Sequence, residues 1–271
     1  MDDIDRFLEE DLGDEGDITT DSIFINEQAK AIIVANEDCT IAGLEETEKV
    51  FKKTGAKTDL LVKDGDFIKK DTIVAEIAGP IKSILKGERL ALNFIGKMSG
   101  IASETKKLVD KCKVVNKNVN IAATRKTTPG FRKYEKKAVI LGGGDPHRYG
   151  LFDAVMIKDN HIKCVGSIEK AINIIKKNVR DKLIEIEVEN EKDAIKSAEL
   201  KVDVIMLDNF DPDYAEYTAK KIKQIDKDIL LEISGGVNFD NIIEYASFAD
   251  RISLGYITHS ISSKDFSLNI I

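Results

Sequence analysis

Six short apolar runs in this chain, at 120–123, 154–157, 183–188, 202–207, 229–233 and 252–254, lead into groups able to do chemistry on a small anion. In order these groups are Thr124-Arg125-Lys126, Lys158-Asp159-Asn160-His161, Glu187, Asp208-Asn209, Ser234-Gly235-Gly236 and Gly255-Tyr256. Basic residues concentrate between 124 and 148, where Arg125, Lys126, Arg132, Lys133, Lys136, Lys137 and Arg148 meet only Glu135 and Asp145. The chain as a whole has 41 Lys and Arg against 48 Asp and Glu, a formal charge of −7. A local reversal of sign in an acidic protein favours a funnel for a small anion and argues against a nucleic-acid binder. Arg125 and Lys126 end an apolar strand, and His147-Arg148 follow the turn Gly142-Gly143-Gly144, so these four are read as ligand groups. Lys133, Lys136 and Lys137 are read as a solvated face.

Glu187 and Asp208 stand as single carboxylates at neighbouring strand ends. Two such groups are costly to bury without a cation. An oxygen-bound divalent metal or a cationic reaction centre would supply it. Glu185, Glu187 and Glu189 share one alternation, and spacing leaves open which of them faces a site. The glycines of Ser234-Gly235-Gly236 and Gly255 free backbone N–H groups for a phosphate, a common use of late loops in α/β barrels. The triple glycine matches neither a dinucleotide fingerprint nor a P-loop. No HExxH or Cys/His cluster points to zinc, and His161 and His259 are read as structural. Cys39, Cys112 and Cys164 lie far apart with no CxxC, which fits a reducing compartment.

Positioning these groups requires alternating strands and helices. Ser167–Val179 carries Ile168, Ala171, Ile172 and Ile175 on one side, and another helix opens at Asp211-Pro212. Such alternation implies a parallel sheet, closed or open, with its chemistry at the strands' carboxyl ends. The nearly all-apolar strands predict burial on both faces. Upstream, residues 18–86 mix β-type runs at Ala31–Ala35, Ile73–Ile77 and Ile81–Leu85 with a helix inside Asp38–Gly55, giving a small α+β domain. Glu88–Cys112 reads as one long helix. A length of 271 residues suits two domains, and 42% hydrophobic with 33% charged residues suits a folded chain. No apolar run approaches a membrane span of about 18 residues. The acidic amino terminus lacks the features of a signal peptide, so a cytoplasmic protein is expected.

The motifs Glu88-Arg89-Leu90-Ala91-Leu92-Asn93, Ser99-Gly100-Ile101-Ala102, Ala123-Thr124-Arg125-Lys126-Thr127-Thr128-Pro129-Gly130, Gly142-Gly143-Gly144 with His147-Arg148, and Ile157-Lys158-Asp159-Asn160-His161 resemble quinolinate phosphoribosyltransferase. The resemblance runs from Glu10-Asp11-Leu12-Gly13 to Asp265-Phe266-Ser267-Leu268. It implies an α/β protein with an amino-terminal α+β sandwich-like domain, 1–105, including the connecting helix. An open α/β barrel, 106–271, would follow, its final segment packing back on the first domain.

The implied reaction transfers phosphoribosyl from 5-phosphoribosyl 1-pyrophosphate to quinolinate with loss of CO2, giving nicotinate mononucleotide and pyrophosphate. By the same resemblance Thr124, Arg125, Lys126, His147, Arg148 and Lys158 line the substrate pocket. Glu187 and Asp208 face the ribose and a magnesium ion carried with the pyrophosphate. Ser234, Gly235, Gly236, Ser253 and Gly255 hold the phosphate, and Arg89 enters from the partner in a homodimer. No organic cofactor is implied, since the ring nitrogen itself stabilises the ylide left by CO2. Lys126 and Lys158 both remain candidates for the proton that replaces CO2. Three other readings use the same residues: a phosphoribosyltransferase for another aromatic acid or base, a barrel lyase with Lys158 as a Schiff base, and a non-catalytic sensor. Six decorated strand ends argue against the sensor.

Overall fold

The computed structural model describes residues 3–271; Met1 and Asp2, which open the acidic amino-terminal segment, lie outside them. Two compact units emerge. One takes the described residues up to 106 with 140–142 and 260–271, and the other takes 107–139 and 143–259.

The first unit begins with α1 (Asp3–Leu12), α2 (Ile18–Ile23), β1 (Gln28–Ala35), β2 (Cys39–Thr40), α3 (Leu44–Thr54), β3 (Lys57–Leu60), β4 (Phe67–Ile68) and β5 (Ile73–Pro80). Helix α4 (Ile81–Lys113) follows directly. The stretch Ile81–Leu85, expected as a strand, is therefore the first turn of α4. Ile81, Ile84 and Leu85 are spaced by three and four, and the same helical face continues through the buried Ala91, Ile95, Met98 and Ala102. A five-residue window contains little more than one turn, so a β-branched run inside it imitates a strand.

The second unit contains β6 (Asn120–Ala123), α5 (Arg132–Leu141), β7 (Val155–Ile157), α6 (Asp159–Val165), α7 (Ile168–Asn178), β8 (Ile184–Val188) and α8 (Glu191–Glu199). It continues with β9 (Val204–Asp208), α9 (Pro212–Ile225), β10 (Leu230–Ser234), α10 (Ile242–Ala246), β11 (Arg251–Leu254) and α11 (Tyr256–His259). Ser167 and Asp211 cap α7 and α9 by accepting hydrogen bonds from Lys170 N and Tyr214 N. The six strands run parallel in the order β6-β11-β10-β9-β8-β7. β6 and β7 are not paired with one another, so the barrel is open. Asp145 extends the wall beside β6 through a parallel bridge to Ala122. Gly143, at φ +84°, makes the turn that brings this segment back.

Register decides which side chains face inward. Glu187 pairs with Met206, Met206 with Glu232, and Asp208 with Ser234. Paired residues of parallel strands share a face, so these form one inner layer. The alternate residues Ile186, Ile205, Leu207, Ile233 and Ile252 are fully buried on the other face, and α8 packs against β8 and β9. Both faces of these strands are buried, as their nearly all-apolar character predicts, and the inner one also carries the polar groups.

The chain ends in β12 (Phe266–Ile270), which completes the first unit's antiparallel sheet in the order β12-β1-β5-β3. Its approach runs over Gly96 and Gly100, one turn apart on α4. A Cβ there would lie 2.8 Å from Lys264 O and 2.3 Å from Ser262 O, respectively. Only glycine permits that crossing.

Candidate active site

A cavity of about 410 Å³ opens at the carboxyl ends of the barrel strands. Thr124, Arg125 and Lys126 leave β6, and His147 and Arg148 follow the Asp145 bridge. Met156 and Lys158 come from β7, Glu187 from β8, and Met206 and Asp208 from β9. Glu232 and Ser234 from β10 and Ser253 from β11 complete the wall. Ten of the residues singled out in the sequence therefore meet around one cavity. Gly235 and Gly236 follow Ser234 directly, both at positive φ. A Cβ on Gly235 would sit 2.4 Å from Asn209 Oδ1, so this turn excludes other residues. Gly255 lies against Lys126, whose Cδ would be 2.8 Å from a Cβ at that position. Arg89 belongs to the other unit and is exposed on α4.

The charges are arranged in two tiers. Around the cavity stand Arg125, Lys126, Arg148 and Lys158, with the ammonium of Lys158 ion-paired to Glu187. This resolves the register of β8: Glu187 faces the cavity, and Glu189 is exposed beyond the strand. Glu185, equally readable as a surface position, is 2% exposed. Its Oε2 lies 3.1 Å from His147 Nε2, while its Oε1 has no hydrogen-bond partner. Glu232 is fully buried in the lower tier. It accepts hydrogen bonds from Ser253 Oγ and, at 3.0 Å, from Arg251 Nη1. Burial first, and then the charge of Glu185, push its carboxyl above the ordinary range, opposed by His147, Arg251 and Ser253. Arg148 is buried, and its proton affinity is lowered by burial and by Arg125. Its Nη2 lies 3.0 Å from Met156 Sδ.

Lys136 is not on a solvated face. It is fully buried, and donates to Ala123 O at 3.3 Å and to Pro146 O. Burial, aided by the nearby charge of Arg132, lowers its pKa to about 8. His161 is structural as expected, its Nδ1 accepting from Lys158 N at 2.9 Å. The cysteines are free, and burial raises the thiols of Cys39 and Cys112 to about 11.

Glu232, Arg251 and the two methionines escaped the sequence reading, which weighed Glu185 only as an alternative to Glu187. For the carboxylates a signal existed: Ile184-Glu185-Ile186 and Leu231-Glu232-Ile233 set a charge in the middle of an apolar strand, which demands an internal partner.

His147, Glu185 and Glu232 bring three possible metal-ligand atoms within 4.8 Å of one another. Arg251 already supplies a cation to Glu232, so this group has its countercharge. Glu187 and Asp208 offer a different donor set. Glu187 is itself paired with Lys158, and together with Asp208 it offers hard oxygens in the cavity wall of the kind that suit a magnesium ion keeping water and substrate oxygens.

Such a parallel barrel, with a cationic pocket at its carboxyl ends and carboxylates on adjacent strands, belongs to the α/β-barrel enzymes of small anionic substrates. Comparison with known proteins makes the assignment specific. Residues 17–99 match the N-terminal domain of quinolinate phosphoribosyl transferase, and residues 101–269 match its C-terminal domain. A probable carboxylating nicotinate-nucleotide pyrophosphorylase from Methanocaldococcus jannaschii is 43% identical over 98% of this chain and 95% of its own. The carboxylating nicotinate-nucleotide pyrophosphorylase of Rattus norvegicus is 36% identical over 89% of this chain and 82% of its own. The crystal structure of nicotinate-nucleotide pyrophosphorylase from Ehrlichia chaffeensis superposes with a TM-score of 0.92 at 40% identity, covering 99% of this chain and 97% of that one. The chain belongs to the quinolinate phosphoribosyltransferase family, and is a pentosyltransferase of NAD synthesis.

Proposed function

We propose that the cavity at the barrel's carboxyl ends joins quinolinate to 5-phosphoribosyl 1-pyrophosphate. The observation carrying this reading is the meeting of four cationic side chains with the carboxylates of Glu187, Asp208 and Glu232 around one cavity of about 410 Å³. Arg125, Arg148 and His147 hold the two pyridine carboxylates, since a guanidinium fork donates paired hydrogen bonds to a planar anion. Met156 and Met206 supply apolar wall against the ring. Ser234, the backbone of Gly235, Gly236 and Gly255, and Ser253 take the ribose phosphate. Thr124 adds a hydroxyl at the end of β6.

Glu187 and Asp208 face the anomeric carbon. As the bond to pyrophosphate lengthens, the sugar becomes oxocarbenium-like, and fixed carboxylates stabilise that charge. They are also the oxygen donors that would hold magnesium, which when bound neutralises the leaving pyrophosphate. Attack by the pyridine nitrogen makes the ring cationic, so CO2 departs without an organic cofactor. The ammonium of Lys158 is engaged by Glu187. Lys126 is therefore assigned as the donor of the proton that replaces CO2. Two copies form a two-fold dimer in the cytoplasm, each completing its partner's pocket with Arg89. Among the described residues no helix is long and apolar enough to cross a membrane.

The test is an assay of quinolinate, 5-phosphoribosyl 1-pyrophosphate and magnesium, with nicotinate mononucleotide and CO2 as readouts, on wild type and Arg148→Ala. Product formation with a quinolinate KM raised about tenfold or more in the variant is expected. An unchanged KM removes the basic pair from carboxylate recognition.

A further inference from the structure

Helix α5 spends three charged residues on the loops that bear the cationic groups. Arg132, Glu135 and Lys136 are spaced i, i+3, i+4 and so share one face. Arg132 Nε donates to Thr127 Oγ1 at 2.9 Å, and its Nη1 donates to Tyr149 O at 2.8 Å. Glu135 is fully buried, and accepts from Thr128 N at 3.0 Å and from Thr128 Oγ1 at 2.9 Å. Lys136, also fully buried, donates to Ala123 O and Pro146 O. Those carbonyls immediately precede Thr124-Arg125-Lys126 and His147-Arg148. Arg132 and Lys136 each bond both limbs of the basic pocket, one beyond the cationic residues and one before them.

A helix needed only to cover the barrel would bury apolar side chains here, because isolated buried charges are costly. The contacts these residues make are with loop groups, where each charge-assisted hydrogen bond limits how far one limb can shift relative to the other.

We infer that α5 is the ruler of the substrate pocket: Arg132, Glu135 and Lys136 are positioning residues that set the separation of Arg125-Lys126 from His147-Arg148, and with it selection of a ring bearing two adjacent carboxylates. This inference rests on the reading of the basic pairs as carboxylate sites. Displacement of either limb by about 1 Å is enough to change efficiency by up to about a hundredfold. The Ser234-Gly235-Gly236 loop leaves a different strand, β10, whereas the loop after β11 is tied to the first limb by Thr258 Oγ1, which donates to Lys126 O at 2.7 Å.

The experiment compares Lys136→Met and Arg132→Met with wild type and Arg148→Ala. Quinolinate, nicotinate and 5-phosphoribosyl 1-pyrophosphate are varied in turn, and far-UV circular dichroism melts report folding. Both clamp variants should raise the quinolinate KM about tenfold or more, raise the KM for 5-phosphoribosyl 1-pyrophosphate much less, and narrow the preference for quinolinate over nicotinate. A folded clamp variant with wild-type quinolinate KM, or with equal rises for both substrates, overturns the inference. Should Lys136→Met not fold, the half-buried Arg132→Met decides by the same criteria. If Arg148→Ala raises the quinolinate KM and the clamp variants do not, the ruler fails alone. If Arg148→Ala leaves it unchanged, the reading of the basic pairs fails with it.

Discussion

Raising the pH from 7 to 9.5 should stabilise this protein relative to its Lys136→Met variant. In the folded chain Lys136 titrates at about 8, because burial penalises its charge and Arg132 adds to the penalty. In the unfolded chain it titrates near the ordinary 10.5. Between these values the unfolded state binds more protons than the folded state, so stability rises with pH in that window. The gain from one group shifted from about 10.5 to about 8, integrated from about pH 7 to about 9.5, is about 2 kcal/mol. Below pH 8 the residue keeps its charge in both states, and folding bears the full cost of burying it. Cys39 and Cys112 act in the opposite sense, since their folded thiols titrate at about 11 against an ordinary 9.0. Above 9 their unfolded forms ionise first and stability falls. Both proteins contain these thiols, so the contribution cancels in the difference. Substitution also removes the bonds to Ala123 O and Pro146 O, which shifts the variant's stability by an offset largely independent of pH. Urea midpoints followed by far-UV circular dichroism at the two pH values give the difference. If the variant gains as much as wild type, the buried ammonium is not the titrating group and the reasoning is refuted.

Quinolinate should exceed nicotinate by about tenfold or more in kcat/KM, the equivalent of losing one charge-assisted contact worth about 1.5–3 kcal/mol; equal values would remove the second carboxylate from recognition. Asp208→Asn preserves size and removes a charge facing the proposed sugar cation, so kcat should fall about a hundredfold while calorimetric quinolinate binding stays near wild type. Arg89→Ala and Lys126→Ala should each be nearly inactive. Reassorted together, about half the dimers are mixed, each with one intact pocket, so about a quarter of wild-type activity should return. No recovery despite mass-tag proof of exchange would place Arg89 outside the partner's pocket.

Local sequence carried the ends of the barrel strands and the caps of its helices. Apolar runs followed by Arg125-Lys126, Lys158, Asp208 and Ser234-Gly235-Gly236 mark where each strand stops, and Ser167 and Asp211 mark where α7 and α9 start. These features depend on backbone period and on hydrogen bonds spanning three or four residues, so neighbouring residues suffice to specify them. The first turn of α4 shows the limit, because Ile81–Leu85 fits either period until the face beyond it is included. The second tier of the site lay outside that reach. Nothing beside Glu232 in the chain announces Arg251 or Ser253, which arrive from the next strand of the sheet. Lys136 and Lys133 sit in one basic run, yet the first is fully buried and the second exposed, because only the first points at the carbonyls of Ala123 and Pro146. Likewise Glu185, Glu187 and Glu189 alternate identically along the chain. Pairing of Glu187 with Met206, and of Met206 with Glu232, decides which carboxylate meets Lys158 and which lies beneath it. A charged side chain's fate depends on the solvation it loses and the partners it gains, and those partners are distant in sequence, so tertiary structure alone decides it.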